Sequence, residues 1–239
     1  MMRYLLVFFA GLIVGLVLLV AGVYYNPLNK TSGLSPLSVT DNEVIRLTYS
    51  AVAADSLVYT NDGESQVTPH PGKVLQLWEP PIGKTTARVV ELLDSRGALA
   101  GIGVKFSSDS ESTQPLRGKV LVNSVWHIIL PDRGTLFVEQ SENYWSYMRD
   151  IVLPAYRSSG DSWRGNWFQH ISDGPGALGT AWVHGGSGEF AGMQSDAIEA
   201  ITAKAYTISQ GPVAMTGELS IEIRSDQLED AADDAAITQ

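Results

Sequence analysis

Hydrophobic and polar positions divide this chain into stretches of different period. Leu5 to Val23 is an unbroken run of 19 apolar or glycine residues. As a helix rising about 1.5 Å per residue it spans roughly 28 Å, close to the hydrocarbon thickness of a bilayer. Further on the period is two. Ile45, Leu47, Tyr49 and Ala51 alternate with Arg46, Thr48 and Ser50, and Met215, Leu219, Ile221 and Ile223 with Thr216, Glu218, Ser220 and Glu222. Between them lie β-rich runs around 73–79, 86–93, 101–106, 118–130, 135–141, 166–171, 178–184 and 197–208. Turn signals separate several of them: Asp94-Ser95-Arg96-Gly97, Pro131-Asp132-Arg133-Gly134, Asp173-Gly174-Pro175-Gly176 and Gly185-Gly186-Ser187-Gly188. Short strands spaced in this way indicate an all-β barrel or sandwich rather than βαβ units.

One segment follows a helical period. In Ser141 to Arg157, Tyr144, Trp145, Met148, Ile151, Val152 and Ala155 recur at helical spacing, and Pro154 should end or kink the helix. Such an insertion can plug a barrel, close over a ligand cavity as a lid, or lie on a membrane. Its aromatics suit an interface, but Arg149 within the helical stretch and Arg157 at its end are too little charge for a basic membrane-lying face.

The order of segments is an anchor (1–25), a linker rich in Pro, Ser and Gly (26–40), a folded body (41–224) and an acidic tail (225–239). The apolar run is too long for a signal-peptide core. It continues into Val23, Tyr24 and Tyr25 rather than into a small-residue cleavage pattern, which favours an uncleaved anchor contacting the bilayer through residues 5–23. Arg3 precedes the run and Lys30 is the first cation after it, an arrangement that places the body outside the cytoplasm, on the periplasmic side of an inner membrane. Gly11 and Gly15 have the spacing that lets membrane helices approach closely.

The net charge is −10, and no polybasic stripe is present. That balance argues against nucleic acid as a partner. The chain has no cysteine. His127, His170, His184 and Asp173 show no metal-ligand spacing beyond an isolated His-x-x-Asp, so neither a metal nor a cofactor is expected. His184-Gly185-Gly186 lacks a following G-x-S-x-G elbow, and no lysine follows the glycines as a phosphate-binding loop requires.

His184 to Met193 (HGGSGEFAGM) is the most distinctive stretch, and it reads as a structural turn built on Gly185, Gly186, Ser187, Gly188, Phe190 and Gly192. It resembles the G-G-T-G-x-F-x-G-A-x-G turn of the allene oxide cyclase/dirigent barrel superfamily, with Ser195 where that pattern ends in glycine. Leu93 to Gly97 with Gly101-Ile102-Gly103, Trp126 to Leu136, and Gly211 to Ile223 resemble further strand connections of the same superfamily. The resemblance spans roughly residues 88–223 and consists of glycine and turn chemistry. It implies a closed antiparallel β-barrel of about eight strands, often dimeric or trimeric, with an elongated cavity for apolar ligands.

The fold expected is therefore all-β: a closed antiparallel barrel with one inserted helix, preceded by a single transmembrane helix. Trp126, Tyr144, Trp145, Met148, Trp167 and Trp182 are candidates for an apolar ligand-binding wall. Glu91 and Glu139 lie inside strand runs, where an inward carboxylate would be desolvated and could serve as a general acid or base. Three functions fit this pattern. One is a tethered barrel that binds an apolar small molecule or lipid. Another is an isomerase or cyclase using the same cavity. The third is a ligand-free structural subunit of the envelope.

Overall fold

The structure is a computed structural model that describes residues 2–24, 43–52, 55, 57–59 and 85–223. The 26–40 linker, Tyr25, the 73–79 run with Trp78, and the 225–239 tail lie outside the described residues.

Helix α1 (Met2–Tyr24) contains the apolar run. Its span Arg3–Gly22 is long and apolar enough to cross a membrane, and none of it is buried against the rest of the chain.

Ten strands follow: β1 (Glu43–Ser50), β2 (Leu57–Tyr59), β3 (Thr85–Leu93), β4 (Leu99–Asp109), β5 (Leu121–Leu130), β6 (Gly134–Asn143), β7 (Ser162–His170), β8 (Ala181–Gly188), β9 (Gln194–Thr207) and β10 (Gly211–Ile223). They form one antiparallel sheet in the order β1-β10-β9-β8-β6-β5-β4-β3-β2, and Thr48 of β1 pairs with Leu93 of β3. That last pairing closes eight of the strands into a ring, so the expected barrel is present. β2 lies along the outer edge of β3, and β7 pairs with β9.

The ring has two unlike ends. At one, the turns 94–98, 131–133 and 189–193 gather with Glu43 and Ile223. At the other lie the 110–120 connection, the 207–211 turn and the inserted helix. Trp145–Tyr147 and Leu153–Arg157 are α-helical, and Met148–Val152 between them widens to π-helical pitch. Together they form α2 (145–157). The helix therefore continues through Pro154. The widened turn just before it absorbs the missing N–H donor that would otherwise break the ladder.

Interior packing explains this closure. Inward parity on β5 gives Ser124, Trp126, Ile128 and Leu130, and on β6 Leu136, Val138, Gln140 and Glu142. The end with the tight turns is filled by Leu92, Ile128, Leu136, Phe190, Met193, Leu219 and Ile221, all buried. At the α2 end the interior becomes polar.

The glycine stretch differs from expectation. Gly185, Gly186, Ser187 and Gly188 belong to β8 and pair with β6 across a bulge; the turn itself is 189–193. Gly185 lies so close to the Phe190 carbonyl that no Cβ would fit. Gly188 and Gly192 take φ of 65° and 74° on either side of Phe190, a left-handed geometry that glycine adopts without strain.

Candidate functional site

The polar end of the interior is built by strand parity. On β4, Gly101, Gly103 and Lys105 face inward, while Ile102 and Phe106 face out. The two glycines leave room for larger neighbours. A Cβ on Gly103 would stand 2.9 Å from the Trp126 ring. On β10, Gly217 likewise leaves room for the Tyr49 ring. Tyr49 meets Trp126 edge-to-face at 5.0 Å between centroids.

Lys105 enters this space and finds two carboxylates. Its Nζ is 2.7 and 3.0 Å from the Glu199 oxygens and 2.8 Å from Glu142 Oε1. Glu199 also accepts from the Trp126 indole at 3.0 Å and from Tyr49 and Gln140. Glu142 accepts from Gln140 at 3.1 Å, from Tyr144 at 2.6 Å and from Ser124. Ser172 donates to Gln140 at 2.7 Å and accepts the Glu199 backbone N–H at 2.9 Å. Glu142 and Glu199 are fully buried, and Lys105 is only 7% exposed.

Two carboxylates sharing one cation cannot both remain comfortably ionised in a dry interior. Burial, reinforced by the charge of Glu199 and only partly offset by Lys105, holds Glu142 above the usual carboxylate range. Burial also acts on Glu199, but Lys105 and the donors Tyr49 and Trp126 override it and hold that carboxyl below the usual range. Burial opposes the charge on Lys105 as well, and the two glutamates outweigh it, leaving its pKa raised. The Tyr49 and Tyr144 phenols are raised well above their ordinary value by burial, then by Glu199 and Glu142 respectively. The arrangement is thus one ammonium, Lys105, bridging two buried carboxyls, of which Glu199 is held below the usual carboxylate range and Glu142 above it.

Tyr144 carries this network toward the α2 end. It precedes α2 and packs against the core partly buried. Beyond it, Tyr147 touches Tyr144, Trp167 and Tyr206 edge-to-face at 5.9–6.1 Å. The Trp145 indole N–H is buried and has no acceptor among the described residues.

The residues singled out from sequence fall in three places. Trp126 and Tyr144 are in the network. Trp145 and Met148 lie on α2 beyond it, Met148 exposed, and Trp167 packs on Tyr147 with its indole 3.4 Å from Asp150. Trp182 does not line the interior: it faces outward from β8 and is 46% exposed.

Glu91 and Glu139 also face outward and are exposed, so neither is desolvated as an interior acid would be. Their strands bury the opposite parity, Val90 and Leu92 in one and Leu136, Val138, Gln140 and Glu142 in the other. Glu142 could have been found from that alternation, because it shares parity with Leu136 and Val138. Glu199 could not, because Ile198 and Ala200 beside it are buried as well.

A cleft of about 260 Å³ opens on the outer wall, and Ser124 and Gln140 of the network are among the residues that line it. Phe106, Asn123, Val125, Glu139, Ser141 and Pro175 are among its lining residues.

No protein-family model matches the chain, and no curated protein matches it as a relative. Among solved structures, it is similar to a nonspecific heme-binding cyclase that catalyses 4 + 2 cycloaddition during neoabyssomicin biosynthesis (TM-score 0.37, 10% identity, 80% of this chain and 76% of that one). It is also similar to AbnU, an exo-specific intermolecular Diels-Alderase (0.35, 14%, 74% and 98%), and to the Diels-Alderase AbmU from Streptomyces koyangensis (0.35, 10%, 81% and 79%). These three are described as cyclases or Diels-Alderases rather than as allene oxide cyclases or dirigent proteins. At such scores they carry no argument about this chain's activity.

Proposed function

We propose that this chain is a membrane-tethered barrel that isomerises or cyclises an apolar, carbonyl-bearing small molecule at its α2 end. The observation that carries this is the shared lysine: one ammonium serves both Glu199 and Glu142, and Glu142, held above the usual carboxylate range by burial, accepts from the Tyr144 hydroxyl at 2.6 Å. Protonation of Glu142 Oε2 would reverse that bond, making the Tyr144 oxygen its acceptor and freeing the phenol hydrogen. The phenol then becomes a backed donor for a substrate carbonyl, a form of general-acid and electrostatic catalysis that needs no cofactor. The aromatic edges of Tyr147 and Trp167 supply an apolar surface beside it. The unpaired Trp145 N–H is a second donor for such a ligand.

The test is untargeted mass spectrometry of the host's apolar extract incubated with the full chain. Wild type is expected to convert one component into a product of identical mass and different retention. Glu142→Gln and Tyr144→Phe, both retaining the fold, are expected to lose that conversion. No conversion by the wild type overturns the reading.

Ligand binding without turnover is the second reading. It is favoured by the closed state of the network, in which each carboxylate already has several donors. A co-purifying ligand that wild type leaves unchanged would support it.

The anchor belongs to the same proposal. α1 holds the domain at the inner membrane, with the barrel on the periplasmic side as the Arg3 and Lys30 flanks favour. We further assign a homo-oligomer to the outer face of β4, β5, β6 and β8. There Ile102, Phe106, Val125, Ile129, Phe137 and Trp182 are each 39–49% exposed, an apolar patch that a lone soluble barrel rarely presents.

A further inference from the structure

We infer that the α2 end of the barrel rests on the surface of a phospholipid bilayer, an inference that depends on α1 being the membrane anchor proposed above. The geometry joins the two. The Arg157 guanidinium lies over the Tyr24 ring at 5.8 Å, so the last residue of α1 meets the last turn of α2. The turn Pro115–Arg117, in the connection between β4 and β5, also lies beside α1. If α1 spans the lipid, both elements stand at its exit level.

Their side chains have interfacial chemistry. Leu116 is 67% exposed and Tyr156 61%, and Met148 is exposed on the same helix. Arg117, Arg149 and Arg157 flank them, with Arg149 held by Asp150 at 2.6 Å. An amphipathic surface of tyrosine, leucine and arginine suits the headgroup boundary, where rings and guanidinium stems bury their carbons and keep their polar ends wet.

The opposite end is built differently. In its turns Asp94 and Glu189 are paired with Arg96 and Arg133 while Asp132 adds a further carboxylate, and β10 ends there at Ile223, followed in sequence by Arg224 and a 225–239 segment with five carboxylates and no cation. An anionic bilayer would repel that end and accept the other. In this orientation the aromatic cluster of Tyr144, Tyr147 and Trp167 stands on the lipid side of the barrel.

The absence of native cysteine allows single labels to be placed on the full chain. Leu16→Cys, Leu116→Cys, Tyr156→Cys and Ser95→Cys would each carry an environment-sensitive fluorophore. The proteins would be reconstituted in vesicles of phosphatidylcholine and phosphatidylglycerol, with or without bromine on the acyl chains close to the headgroup. Labels at 16, 116 and 156 are expected to lose about twofold in intensity in the brominated vesicles, and the label at 95 to keep its own. Arg157→Glu should restore intensity at 116 and 156 while leaving 16 quenched. Quenching at 16 without quenching at 116 and 156 would overturn the docking and leave the anchor standing. Quenching at 95 equal to that at 116 would overturn the orientation. A label at 16 that lipid bromine does not reach would overturn anchor and docking together.

Discussion

Lys105 and Glu199 stand on opposite walls of the barrel, four strands apart in either direction around the ring, and meet inside it at 2.7 and 3.0 Å. The contact is a strut across the interior rather than a pairing of neighbours. Glu142, on the wall between them, shares the same ammonium at 2.8 Å. Removing the cation would leave two buried carboxylates facing each other. Lys105→Met is therefore expected to destabilise the fold by about 3–5 kcal/mol in chemical denaturation. The triple variant Lys105→Met, Glu142→Gln, Glu199→Gln should recover most of that loss, because it removes the buried charge along with its partner. A triple variant no more stable than Lys105→Met would sink the strut account.

The same cluster sets the pH dependence. Glu142 is raised from its ordinary value of 4.5. The folded state thus holds its proton more tightly than the unfolded chain, and that contribution is full below 4.5 and lost as pH rises through the folded value. Glu199 is lowered, so its contribution is present above 4.5 and lost as pH falls through its own folded value. The unfolding midpoint should accordingly rise with pH up to about 4.5 as Glu199 ionises and fall above it as Glu142 does, and Glu142→Gln should flatten the falling limb. An unchanged slope in the variant would assign the effect to other groups.

Gly217 gives a packing test remote from the charges. It pairs with Tyr49 across β1 and β10, and a side chain there would overlap the Tyr49 ring. Gly217→Ala is expected to cost about 1–3 kcal/mol and to displace Tyr49 from Glu199. The double variant Gly217→Ala, Tyr49→Phe should lose the hydroxyl without relieving the overlap. Gly217→Ala with Tyr49→Ala should relieve it. Thermal unfolding of the three proteins distinguishes these outcomes.

The outer face provides a test of assembly. Phe137 stacks on His127 at 4.6 Å with its ring 39% exposed, near the centre of the apolar patch on β4, β5, β6 and β8. Phe137→Glu puts a charge there while leaving the interior parity unchanged. Sedimentation of the full chain in detergent should show an oligomer for wild type and a single copy for the variant. A wild type that already sediments as one copy would show that no second chain covers this face.

The hydrophobic pattern by itself determined the anchor-length helix, the all-β body, most strand positions and the helical insertion, because each of these is a local period of one face against water. The Asp94 turn was equally local: its carboxylate accepts the backbone N–H groups of Arg96 and Ala98 at 2.8 and 2.9 Å, so the short stretch from Asp94 to Ala98 defines it. The site was not local. Alternation in Gly101 to Phe106 would bury Ile102, Val104 and Phe106, yet the barrel turns Gly101, Gly103 and Lys105 inward, because Trp126 and Leu92 from neighbouring strands need the space beside Gly103. Glu91 and Glu139 were marked by strand position alone, and closure of the ring turned both outward. Which carboxylates met the lysine depended on which walls met across the interior, and contact between opposite walls has no period in the chain.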